Sequence, residues 1–250
     1  MGHQRLGTLP RSKLWRDVVE LIDHSADVDE VAAATSLAAE QGMIDASQDA
    51  AVQHAFFLMA MIPLAAREDD FEAALRGLGM PIKNGPMLAD IVCGLMEATD
   101  TRTKLIGSRS DYGEIAQLSA AEALYAVIGR QTRDLFGVDA LATKSAVAGF
   151  ATVRQFAVLA RDFFARLTRR HINYYLSREL SKHVGPSQRF VGVREHRLPT
   201  RRRKLDAGDL AAEILRRCEQ AGVSAGYVVC ISDPITARER LQPAAARIQR

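Results

Sequence analysis

Between Thr143 and Val184 the apolar residues recur every three or four positions, and this rhythm constrains the fold more than any other feature of the chain. Phe150, Val153, Phe156, Leu159, Phe163, Leu167, His171 and Tyr174 make one stripe, with Arg154, Arg161, Arg166, Arg169 and Arg170 interleaved. An unbroken helix over that stretch would be ~60 Å long at ~1.5 Å per residue, long enough for a spine or a dimer seam. A stripe this apolar is predicted to face a core. The composition points the same way: 39 alanines stand against 15 aromatics in 250 residues, and alanine has the highest helix propensity.

The expectation is therefore an all-α, multi-helix bundle over residues 12–184 with a long C-terminal helix. A basic connector at 185–205 and a small basic α or α/β appendage at 206–250 follow it. A first helix is predicted from Ser12, with Leu14, Trp15, Val18, Val19, Leu21 and Ile22 on its apolar face and a break at 23–26. A second is predicted from Asp27 to Gln41, stopped by Gly42, and a third from Ser47 to Arg67. Pro63 is expected to kink the third, because it removes a hydrogen bond and crowds the Met59 carbonyl. Further helices are predicted at 70–78, at 87–98 after the Lys83-Asn84-Gly85-Pro86 turn, and at 112–133 after a polar loop at 99–112. Neighbouring helices are expected to form short antiparallel pairs.

Charge is strongly segregated. Asp17, Glu20, Asp23, Asp27, Asp29, Glu30, Glu40, Asp45 and Asp49 give residues 17–66 nine carboxylates and no Lys or Arg, whereas residues 166–204 hold twelve Lys/Arg against two acids. A net charge of +3 hides this polarity. Clustered cations bind polyanions by releasing condensed counterions, independently of base sequence. The basic run is thus predicted to contact nucleic-acid backbone through Arg166, Arg169, Arg170, Arg189, Arg194, Arg197, Arg201, Arg202, Arg203 and Lys204. Aromatics able to stack on bases are sparse there, limited to Tyr174, Tyr175 and Phe190, which favours backbone contact over base reading. The alternative expectation is a protein interaction or homo-oligomerisation module, with the basic region pairing against an acidic helical surface that includes Asp17, Glu20, Asp27 and Glu30.

Signatures of catalysis are thin: the chain contains no G-x-x-x-x-G-K-[ST], G-x-G-x-x-G or H-E-x-x-H. Asp23 and His24 with Asp27 and Asp29 are the nearest constellation, a carboxylate-rich junction suited to a hard cation or an oriented imidazole; helix capping is the simpler role. His54, on the most apolar helix, has no acid three or four positions away and reads as a core histidine. His171, His183 and His196 are too widely spaced for one helical metal site and read as polar contacts of the basic region. Residues 107–113 make a Gly/Ser-containing loop ahead of a helix, where a phosphate can bind at the N-terminus. No cofactor or metal is expected. Cys93, Cys218 and Cys230 have neither disulfide nor zinc spacing, the first eleven residues lack a signal-peptide core, and the apolar run 55–66 is too short for a bilayer. A cytoplasmic protein without membrane contact is expected.

Two structures suit the C-terminal segment. A strand at 189–193, a helix at 206–221 and a strand at 227–231 would form a β-α-β unit needing cover from elsewhere. Alternatively, Ala221-Gly222-Val223-Ser224 resembles the turn of a helix-turn-helix, which would imply DNA binding through residues 225–231. Arg217 stands where that motif's first helix presents an apolar side chain, and Gly226 with Val228-Val229 offers no polar groups to base edges. Gly222 as a helix C-cap is the plainer reading.

Overall fold

A computed structural model describes residues 9–24, 26–107, 110–130 and 139–182. They form eight α-helices in chain order: α1 Lys13–Asp23, α2 Val28–Gln48, α3 Ala50–Ala65, α4 Phe71–Gly77, α5 Leu88–Ile106, α6 Asp111–Val127, α7 Ala140–Ala148 and α8 Val153–Lys182, with a 3-10 turn at Gly149–Ala151. The all-α expectation holds, and no strand occurs among the described residues. The expected β-α-β or helix-turn-helix segment lies outside them.

Side-chain caps fix most helix starts. Ser12 accepts the Trp15 amide, Asp49 those of Ala51 and Val52, Asp70 that of Ala73, Ser110 that of Gly113 and Asp139 that of Ala142. Each satisfies one or two of the amides a helix leaves unpaired, worth about 1 kcal/mol apiece. α5 ends on Gly107, whose φ of 65° is the left-handed conformation that only glycine adopts without strain.

The described residues fall into two compact units, the divisions lying after Asp45 and after Leu167. In the unit spanning 46–167, α3 packs against α4, α5, α6, α7 and the 3-10 turn. Consecutive α3 residues Phe57, Leu58 and Met59 are all buried, so the middle of the helix is covered round most of its circumference, while Gln53 near its start is exposed. Phe56 adds an aromatic cluster with Phe156, Phe163 and Phe164 at centroid distances of 5.8, 5.5 and 5.2 Å. Lys144 closes the end of α3 by donating to the Glu68 and Asp69 carbonyls at 2.7 and 3.1 Å. Gly113 of α6 lies so close to α3 that an added Cβ would stand 2.7 Å from Ala51 Cβ.

The other unit contains α1, the first eighteen residues of α2, and α8 from Thr168 onward. Trp15, Val18 and Ile22 turn inward from α1, Val31, Ala32, Thr35, Ala38 and Ala39 from α2, and His171, Ile172, Tyr175, Leu176 and Leu180 from α8. Trp15 and Tyr175 meet at a centroid distance of 5.3 Å.

Three expected boundaries are corrected. Over 143–182 the stretch is two helices, because Gly149 ends α7 and Thr152, extended at ψ 150°, starts α8 by accepting the Gln155 amide on Oγ1. Val153 is accordingly exposed, while Leu159, Phe163, Leu167 and His171 keep the stripe buried. α2 runs through Gly42 rather than stopping there. The expected polar loop at 99–112 is helical to Ile106, because buried Thr99 and Thr103 turn their hydroxyls onto the carbonyls of Leu95 and Thr99 at 2.8 and 2.7 Å.

Gly113→Ala is expected to destabilise the protein by about 1–3 kcal/mol through overpacking at α3. Urea denaturation followed by far-ultraviolet circular dichroism tests this, and the Ala51→Gly/Gly113→Ala double variant should lose less than the two single losses added together.

Candidate functional site

The basic run begins on α8, whose C-terminal half presents Arg169 and Arg178 to solvent and Arg170 half-buried. Arg166 is differently placed. Its guanidinium donates to Asp162 at 2.5 Å and to Glu122 at 3.0 Å. Partial burial opposes its charge, but the hydrogen-bonded carboxylates of Asp162 and Glu122 outweigh that and push its pKa up. Arg166 thus has its fork filled from within the chain. Glu179, one of the two acids in the basic stretch, is nearly buried and takes the Lys182 ammonium at 2.7 Å. Arg189, Arg194, Arg197, Arg201, Arg202, Arg203 and Lys204 lie outside the described residues.

The aromatics of this region are occupied by the fold. Tyr175 is buried between Trp15 and His171, and Tyr174 is half-buried, edge-on to Tyr175, with the Arg178 guanidinium 4.4 Å above its ring. Neither offers a bare face on which a base can stack. Phe190 lies outside the described residues.

The acidic side is fully described. Glu20, Asp27 and Glu30 are exposed and Asp17 is half-buried, so all four expected partner-binding carboxylates reach the surface of α1 and α2. Asp23, Asp29, Glu40 and Asp45 are exposed on the same helices and the turn between them. Asp27 also caps α2 loosely, its Oδ1 lying 3.4 Å from the Asp29 amide. The outer side of α2 adds apolar area: Leu37 is 53% exposed and Ile44 48%. At i and i+7, with Glu30 a further seven residues back and Glu40 between, they lie along one stripe.

His24 does not complete a catalytic or metal constellation. Its Nδ1 is 2.8 Å from the Glu20 carbonyl, to which it donates as part of the α1 C-terminus, and no group of three potential ligands gathers among the described residues. Ser110 and Gly113 of the expected phosphate loop line a cleft of about 330 Å³ between α5 and α6, together with Met96, Asp100, Thr103, Glu114, Gln117 and Leu118. Ser110 already accepts the Gly113 amide at 3.0 Å, and Asp100 and Glu114 bring negative charge, so the cleft presents acceptors where an anion needs donors. His54, expected in the core, is half-buried, stacked on Phe57 at 6.1 Å with its pKa lowered to about 4 by burial and by Arg102.

His171 departs from its expected role as a polar contact of the basic region. It is 2% exposed and lies against Gly42 so tightly that an added Cβ there would collide with Nε2. Burial lowers its pKa to about 4, against an opposing pull from Asp45. The signal for this contact is the α2 spacing Val31, Thr35, Ala38, Gly42, Ala46, a buried small-residue stripe that passes straight through the glycine.

No protein-family model, no curated protein and no solved structure matches this chain.

The folded His171 binds its proton less readily than the unfolded chain, where its pKa is about 6.5. Its contribution is present in full above that value and is lost as pH falls from 6.5 towards 4, by on the order of 2 kcal/mol at pH 5. Denaturation followed by the fluorescence of Trp15, the chain's single tryptophan, should show this loss, and His171→Leu should remove that component. Gly42→Ala is expected to destabilise the same unit by about 1–3 kcal/mol, with a smaller loss when His171 is also shortened to Ala.

Proposed function

We propose that this is a non-catalytic cytoplasmic protein that holds nucleic-acid backbone through its basic C-terminal stretch, as a component of a larger assembly. The observation carrying this reading is the charge polarity. Exposed Arg169 and Arg178 on α8 lead in sequence into Arg189, Arg194, Arg197, Arg201, Arg202, Arg203 and Lys204. Arg169, Arg170 and residues 189–204 are the proposed phosphate contacts. Arg166, filled by Asp162 and Glu122, is left to hold α8 to α6.

Backbone contact fits better than base reading, since Tyr174 and Tyr175 are occupied within the fold. The absence of any helix among the described residues that is long and apolar enough to cross a membrane accords with a partner met in solution.

Fluorescence anisotropy with short single- and double-stranded DNA and RNA, over a series of salt concentrations, tests the reading. Each phosphate contact contributes roughly 0.7–0.9 to the slope of log affinity against log salt. Neutralising Arg201, Arg202, Arg203 and Lys204 to Gln should lower that slope by about 2–3 if most of the four touch phosphate. An unchanged slope would remove these residues from the contact set.

A further inference from the structure

We propose that the acidic, partly apolar surface of α1 and α2 is a docking site for the chain's own basic run, residues 189–204, so that eight carboxylates stand in for nucleic-acid phosphates and compete with them. The inference rests on the polyanion-binding reading of that run and adds to it a partner within the same molecule.

Three observations select this occupant. Residues 17–45 carry eight carboxylates and no Lys or Arg, whereas 189–204 carry seven Lys/Arg against Glu195 alone, so the charges are complementary in sign and nearly equal in number. The α2 stripe also exposes Leu37 and Ile44, and the basic run brings Phe190, Val191, Val193 and Leu198 among its cations; neither surface is purely ionic. Finally, α8 ends at Lys182 in the same compact unit as α1 and α2, only seven residues before Arg189. Seven residues reach about 25 Å, and the sixteen of the run reach about 55 Å, against a length of about 32 Å for α2. A second copy of the chain could present the same charges, but it would have to compete with a segment tethered at an effective concentration in the millimolar range.

Two measurements on the full chain decide the matter. Carbodiimide joins a lysine to a carboxylate only in direct contact, and Lys204 is the sole lysine of the run. Cross-linking at low salt, with peptide mapping of the monomeric product, should join Lys204 to carboxylates within 17–45. Links found only in dimeric product would assign the surface to a second copy, and no links to 17–45 would overturn the docking. In parallel, Glu20→Gln/Asp27→Asn/Glu30→Gln/Glu40→Gln should raise affinity for a 20-nucleotide DNA by about tenfold at low salt, by releasing the tethered competitor. The matched variant Glu68→Gln/Asp69→Asn/Glu97→Gln/Glu114→Gln, which removes four exposed carboxylates from the other unit, should change it less than threefold. Equal gains from both variants would mean general repulsion of DNA and would overturn the docking. Links from Lys204 to 17–45 in a protein that binds no nucleic acid, even with the acidic surface neutralised, would instead remove the nucleic-acid reading and leave the docking in place.

Discussion

A helix with no polar residue beyond its first turns cannot lie along a surface, and α3, polar only at Gln53 and His54, is such a helix. Fully burying Leu58, Met59 and Ile62 contributes about 1.5–3 kcal/mol for each side chain, and this is gained only if neighbours cover the helix all round. α4, α5, α6 and α7 supply that cover, each turning buried side chains inward: Phe71 and Leu75 from α4, Ile91 and Leu95 from α5, Ala120 and Leu124 from α6, and Val147 from α7. The capped starts of α4, α6 and α7 and the Lys144 contact at the end of α3 then settle where each covering helix begins and ends. Removing the all-round apolar character of α3 would leave the covering helices with nothing to bury.

Close approach is the second constraint, and small residues supply it in both units. Gly113 opposite Ala51, and Gly42 beneath His171, bring helices nearer than any branched residue would permit. Such tight contacts leave no room for water, so buried polar atoms need partners within the helices. Thr35, Thr99, Thr103 and Ser119 each donate to the carbonyl four residues back at 2.7–2.8 Å. His171 is different, because its proton cannot be accommodated cheaply in that setting. It makes the α2–α8 contact within its unit sensitive to acid.

The sequence was legible where a local signal and the packing agreed. Ser12 and Asp70 read as starts of helices and serve as their caps, and the stripe from Leu159 to His171 faces inward as its spacing requires. It misled where one residue's average habit outweighed the period around it. Gly42 reads as a stop, yet the buried stripe on α2 runs through it; Thr99 and Thr103 read as loop, yet they are buried helix residues whose hydroxyls are satisfied locally. Of the candidate site, the acidic half is legible and lies on the surface as its composition requires. The engagement of Arg166 was not, because Asp162 is its neighbour at i−4 but Glu122 is forty-four residues away.

Strength, rather than sign, decides what the segregated charge does. Exposed ion pairs are individually worth less than about 1 kcal/mol and are screened over about 8 Å at physiological salt. Neither the acidic surface nor the basic run can therefore bind tightly by charge alone. Tethering changes the balance: at an effective concentration near 1 mM, a contact with an intrinsic dissociation constant of about 0.1 mM is occupied roughly nine-tenths of the time. Non-specific nucleic-acid binding typically has a dissociation constant of about 10⁻⁴–10⁻⁶ M, so such a contact weakens it about tenfold without abolishing it. The acidic helices would then act as a threshold, leaving long or locally concentrated polyanions able to displace them while short or dilute ones are refused.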